Sequence, residues 1–146
     1  MHTLETPHLV TDIIIELVDL PDRPIVLIER KFPPYGLAIP GGFVDVGERV
    51  EQAAIREALE ETTLSVTLKA LLGIYSDPAR DRRSHTASAV YVAEAHGTPI
   101  AADDAQAVRI VPVAELPLAM AFDHATILED YLQFRHHGRC TPLRFG

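Results

Sequence analysis

Only one cysteine, Cys140, occurs among the 146 residues. A single thiol cannot close an internal disulfide, and that fits a reducing, cytoplasmic compartment. Basic residues are scarce, 13 Lys and Arg against 21 Asp and Glu, for a formal net charge of −8. That balance excludes nucleic-acid binding through a basic surface. It also sets a problem for any anionic ligand, which bound cations and local arginines would have to solve. No stretch is apolar for long enough to span a bilayer, so no membrane partner is expected. The opening residues 1–8 lack the charged-then-apolar layout of a signal peptide. With no internal repeat, low-complexity tract or linker, residues 1–146 read as one domain. Its core is expected at about 9–136, followed by a short, loosely ordered polar tail at 137–146.

What is present is an alternation of strand and helix signals. Val10–Val18 and Ile25–Ile28 are rich in Ile and Val and flank turn chemistry at Asp19–Pro24, which predicts a hairpin. A proline-broken loop, Lys31–Gly36, precedes a short strand at Leu37–Ile39 and a tight turn at Pro40–Gly42. A helix is expected at Glu48–Thr62, an extended stretch at Leu64–Tyr75, and a charged loop at Ser76–Ser84. Strands follow at His85–Ala95 and Val108–Val113, separated by a loop at His96–Asp104. A closing helix over Asp123–Arg135 buries Ile127, Leu128, Tyr131, Leu132 and Phe134, with Asp123 as its N-cap. This order predicts an α/β fold with a mixed β-sheet and helices on both faces.

The first helix carries the chemistry. Glu57, Glu60 and Glu61 are spaced i, i+3 and i+4, on one side of the helix. Ile55 and Leu59 are expected to point away from them, toward a core. Like charges at this spacing cost roughly 0.2–0.5 kcal/mol per pair. They also crowd the negative end of the helix dipole. A bare glutamate pair is ordinarily a solvated helix face. A sequence stacking both penalties is instead expected to offset them with a cation, and all-oxygen ligands point to Mg²⁺ or Mn²⁺.

Five residues separate Gly42 from Glu48, seven more separate Glu48 from Arg56-Glu57, and two more lead to Glu60-Glu61. This spacing resembles the signature box of the Nudix hydrolases, which cleave a nucleoside diphosphate linked to another group. The resemblance implies an α/β/α sandwich over nearly the whole chain. It implies metal ligation by Glu57, Glu60, Glu61 and the main-chain carbonyl of Gly41, and a role for Arg56 and Glu48 in organising the loop against the helix. Thr63 stands where the family has glycine. A β-branched residue enters the left-handed conformation only with strain, so the helix is expected to end differently there, a residue earlier.

The segment Tyr75–His85 resembles the stretch after the box in ADP-ribose pyrophosphatases of this family, with Arg82 in place of proline and Ser84 in place of glycine. The runs at Ala101–Ala105 and Ala121–Tyr131 resemble the same branch. The resemblance implies hydrolysis of ADP-ribose to AMP and ribose 5-phosphate by metal-activated water, and a homodimer. Arg80, Arg82 and Arg83 are candidates to grip phosphate or ribose. Phe32 and Tyr35 are candidates to stack on adenine, with turn packing as the alternative. His85 is either a substrate contact or a satisfied histidine. Asp103 and Asp104 compete with Glu60 for the role of catalytic base, which requires hydrogen-bond reach to the water. Arg56 completes the catalytic set. The alternatives are a nucleoside triphosphate pyrophosphohydrolase that removes damaged nucleotides, and a non-catalytic ADP-ribose-binding module.

Overall fold

The centre of the sheet is β1 (His8–Leu17), whose side chains alternate between two cores. Ile13, Ile15 and Leu17 pack with Ala54 and Ala58 of α1 (Val50–Thr62). Ile14 packs on the other face with Ile127, Leu128 and Tyr131 of α2 (His124–His137). Each such buried aliphatic side chain contributes about 1.5–3 kcal/mol, so β1 anchors both layers. The computed structural model describes residues 3–116 and 118–146. Among these residues the architecture is an α/β/α sandwich around one mixed sheet of seven strands.

β1 runs parallel to β6 (Thr86–Ala95), in register from His8 opposite Thr86 to Leu17 opposite Ala95. β5 (Val66–Tyr75) lies antiparallel outside β6. Along its other side β1 is shared. Its first half pairs antiparallel with β4 (Gly41–Phe43), and Glu16 near its end pairs with Ile25 of β2 (Ile25–Arg30). β2 also takes β3 (Leu37–Ala38) and β7 (Ala105–Val111) as antiparallel neighbours. The expected hairpin of the first two strands is therefore present. The expected tight turn at Pro40–Gly42 is not, because Gly41 and Gly42 are strand residues facing Asp12 and Thr11. The strand gains ladder bonds that a turn would forgo.

Three further expectations are corrected. Ile55 and Leu59 do not face a core; they are 42% and 49% exposed. The packed face of α1 is Ala53, Ala54 and Ala58, whose small side chains let the helix lie close on the sheet and carry Glu57 and Glu61 inward with it. Nor does Thr63 avoid the left-handed region. It adopts φ 62° and ψ 9°, and its N–H donates to Leu59 O. The neighbouring carbonyls of Glu61 and Thr62 accept from Ala102 and Ile100 N–H, so the helix end is satisfied from outside. The tail, finally, is tied down. Thr141 Oγ1 donates to Leu72 O at 2.7 Å, and Arg144 grips both oxygens of Asp130 while lying over the Tyr75 ring.

Candidate active site

Where β2 and β4 share the flank of β1, a cleft of about 220 Å³ opens. One stretch of its lining is acidic, with Glu57 and Glu61 from α1, Asp12 from β1, and Asp104 from the loop before β7. Another is basic, with Arg30 from the end of β2 and Arg80 and Arg83 from the loop after β5. A larger cavity of about 570 Å³ lies between β5 and the C-terminal tail, and among the described residues the charged side chains lining it are Asp77 and Arg144. Charges of both signs converge in the smaller cleft.

The acidic groups are held by backbone contacts. Gly41 N–H donates to Glu61 Oε2 at 3.2 Å. A β-carbon on Gly42 would collide with the Glu57 carboxylate, so that carboxylate lies directly on the backbone. The bonds from Ala102 and Ile100 to the end of α1 draw the 98–104 loop against the acidic helix, which delivers Asp104 to the cleft. Asp103 sits beside it at φ 49° and does not line the cleft.

Burial dominates the electrostatics. It pushes Glu61 up to about 8, opposed by the Gly41 N–H and reinforced by the charges of Glu57, Asp12 and Asp104. Glu57 is raised too, by burial first, with Arg56 pulling the other way. Asp12, buried on β1, rises to about 6 despite a 2.5 Å bond donated by Ser88 Oγ. Carboxylates packed close enough to resist ionisation are a donor set suited to a divalent cation. Their oxygens are hard ligands, and the glycine backbone leaves room for close approach. Glu57 and Glu61 are the carboxylates at the cleft that could hold such an ion, and Gly41, which lines the same cleft, could add its carbonyl.

Arg56 organises this surface. Its guanidinium donates to both oxygens of Glu48 at 2.8 and 2.9 Å, to Glu57 Oε1 at 2.9 Å, to Glu60 Oε2 at 3.1 Å and to Phe43 O at 3.0 Å. Glu48 in turn is held down to about 2 by that contact. Glu60 lies on the Arg56 side of the helix and does not line the cleft. Among the described residues no three acidic, histidine or cysteine side chains converge as a metal-holding group, and Arg56 pairs with both Glu57 and Glu60.

The expected substrate contacts divide. Arg80 lines the cleft, but it is buried and three of its five donors are committed: Nε and Nη2 to Asp123 at 3.0 and 2.9 Å, and Nη1 to Thr86 at 2.7 Å. Asp123 sits at the N-cap position of α2, yet its side chain serves Arg80 and makes no cap bond. Arg82 is exposed and outside the cleft, as is His85, whose Nε2 lies 2.9 Å from Ser76 O. Phe32 and Tyr35 are 55% and 71% exposed and also outside it. The aromatic rings at the cleft are Phe43 and Phe122.

Sequence reasoning missed Asp12, Arg30, Phe122 and His124. Asp12 had a legible signal, a carboxylate immediately before three isoleucines, which buries a polar group in a core strand. His124 is buried, with Nδ1 accepting the Ile39 N–H at 2.9 Å. Burial pushes its pKa down to about 3, so it is a neutral imidazole with its proton on Nε2.

A mixed α/β/α sandwich with an acid-faced helix over such a cleft suits a cation together with an anionic ligand. Residues 7–131 match the family model of the NUDIX domain, and the chain belongs to the Nudix family of hydrolases. It is 43% identical over 118 residues to the ADP-ribose pyrophosphatase of Methanocaldococcus jannaschii, spanning 79% of this chain and 69% of that protein. A MutT/nudix family protein from Listeria innocua is 31% identical, with a TM-score of 0.73 over 92% of this chain and 98% of its own. The bifunctional NMN adenylyltransferase/ADP ribose pyrophosphatase of Francisella tularensis, complexed with AMP and a manganese ion, is 25% identical. Its TM-score is 0.73 over 90% of this chain and 43% of its own. Among the described residues no helix is long and apolar enough to cross a membrane.

Proposed function

We propose that the chain hydrolyses ADP-ribose to AMP and ribose 5-phosphate with Mg²⁺, or Mn²⁺ in its place. The observation that carries the reading is one cleft lined by both inward-turned carboxylates and arginines. A diphosphate needs both, one set to hold cations and the other to hold phosphoryl oxygens directly. The 43% identity to an ADP-ribose pyrophosphatase supports the choice among nucleotides.

Bound divalent cations would neutralise the diphosphate and acidify the attacking water. Glu57, Glu61 and the Gly41 carbonyl would hold them, and Glu60, now bonded to Arg56, would complete the set. Arg56 and Glu48 fix the loop at Phe43 against the helix, keeping the Gly41 carbonyl in position. Asp104, at the cleft, is the better placed base, and Asp103 sets the backbone that presents it. Arg80 acts behind the surface, locking the 80–83 loop to α2. The exposed single thiol, Cys140, accords with a cytoplasmic protein. A homodimer is part of the same reading, and the exposed Leu71 and Ile74 on β5 support it.

The deciding test is AMP release from ADP-ribose with Mg²⁺, with and without EDTA, for wild type and Glu61→Gln. Metal-dependent AMP formation that collapses in the variant is expected. No AMP from the wild-type protein would remove ADP-ribose as the substrate, and nucleoside triphosphates would be tried next.

A further inference from the structure

Arg30 ends β2 with its guanidinium at the cleft. Its Nε donates to Pro34 O at 2.7 Å, which fixes the side chain, and among the described residues it has no carboxylate partner. Arg83 enters from the loop after β5, aligned by a fork on Asp81, Nε to Oδ1 at 3.0 Å and Nη2 to Oδ2 at 2.8 Å. Both guanidinium groups lie over the ring of Phe122, at 4.9 and 5.4 Å from its centroid. The ring attracts each cation through its electron-rich face, but the two cations repel one another. Burial first, then the charge of Arg83, lowers the pKa of Arg30. A fold that gathers two like charges and leaves one unpaired beside a cleft is arranged for an anion.

The platform is itself held against a backbone penalty. Phe122 has φ 55°, a region that residues with a β-carbon rarely adopt. Its neighbours fasten it there. Ala121 N–H donates to Leu37 O at 2.8 Å, and His124 accepts the N–H of Ile39. Both bonds reach the strand that leads into Gly41, so ring and metal-facing backbone share one support.

We propose that Arg30 and Arg83, set on Phe122, form the phosphate-gripping part of the cleft and take the diphosphate oxygens that the carboxylate-held cations do not. This rests on the reading of the cleft as a diphosphate site, and it assigns the grip to Arg30 and Arg83 in place of Arg80 and Arg82. Arg80 is buried, with three of its five donors and its charge already taken up by Asp123 and Thr86, and Arg82 does not reach the cleft.

The test is calorimetric titration of imidodiphosphate, a non-hydrolysable diphosphate, in saturating Mg²⁺. Arg30→Gln and Arg83→Gln are each expected to weaken binding by about 10-fold or more, as loss of a charged hydrogen-bond donor does. Arg82→Gln is expected to weaken it less than about 2-fold. With ADP-ribose, the two variants raise KM while kcat holds, the mark of a group that binds ground state and transition state alike. Wild-type affinity in both variants overturns the proposal, as does an equal loss in Arg82→Gln or no binding by the wild-type protein. If imidodiphosphate binds through Arg30 and Arg83 but ADP-ribose is not cleaved, only the choice of substrate fails. If ADP-ribose is cleaved with KM unchanged in both variants, only the arginine grip fails. Arg30→Gln also loses the bond to Pro34, so the half-exposed Arg83 carries the test should that variant not fold.

Discussion

The backbone N–H of Gly41 donates to Glu61 Oε2, joining a strand that flanks β1 to the helix that carries the glutamates. The two adjacent glycines have different jobs in that join. A β-carbon at Gly41 would run into backbone, Thr11 O and Asp12 Cα. At Gly42 it would meet only the end of the Glu57 side chain, which can swing away. Gly41→Ala should therefore cost about 1–3 kcal/mol of stability by overpacking. Gly42→Ala should fold nearly as well as wild type yet bind Mn²⁺ about 10-fold more weakly, because Glu57 is displaced. Thermal unfolding and a Mn²⁺ titration of both variants separate the two outcomes.

Glu61 makes the metal-free protein sensitive to pH. It titrates near 4.5 in the unfolded chain and at about 8 in the fold. Between those values the fold retains a proton that the unfolded chain has lost. The resulting stability is fully present below 4.5 and is lost as pH rises through 8. His124 and Asp12, at about 3 and about 6, add little above pH 6.5. In EDTA, stability should decline from pH 6.5 to 8 with a slope approaching about 1.4 kcal/mol per pH unit. Denaturant melts of Glu61→Gln should show that slope removed, and an equal slope in the variant would refute the assignment.

Arg80 and Arg82 lie two residues apart and should behave oppositely. Removing Arg80 strands Asp123 and weakens the support of Asp12, so Arg80→Met should cost about 3–5 kcal/mol, the usual result of breaking a buried pair from one side. Adding Asp123→Asn should recover part of that loss, a coupling that a double-mutant cycle reads directly. Arg82→Gln should change stability by no more than about 0.5 kcal/mol.

Thr63 holds a left-handed backbone that costs a residue with a β-carbon roughly 1–2 kcal/mol. Its side chain is exposed and makes one local bond, Oγ1 donating to Thr62 O at 2.6 Å, a carbonyl that also accepts the Ile100 N–H. Thr63→Gly should stabilise the protein by up to about 1 kcal/mol, after the greater freedom of glycine in the unfolded chain is offset. For a domain of this size that is roughly 2–4 °C in Tm, measurable by calorimetry.

The acidic helix and most strand positions along the chain were legible because they depend on local spacing, a period of two in the strands and of 3.6 in the helix. The face of α1 that packs was misread because hydropathy favoured Ile55 and Leu59, whereas close approach to the sheet favoured alanine. Asp12, Arg30 and Phe122 escaped notice for another reason. Their significance comes from neighbours far along the chain, Ser88 for Asp12 and Arg83 for Arg30 and Phe122. Proline-flanked Phe32 and Tyr35 invited a stacking role by composition, yet the loop that carries them lies off the cleft.

The parallel pairing of β1 with β6 also governs when the site can exist. Thr11 bonds to Ala89, 78 positions away, and Asp12 finds its hydroxyl partner on the same strand. A nascent chain that has emerged only through Tyr75 already contains every box glutamate but lacks the strand that completes the sheet beneath them. An organised cleft therefore needs closure of that long loop, a non-local step intrinsically slower than forming the helix. Two fragments divided in the 76–85 loop would each be inert alone, and activity would return only on their association.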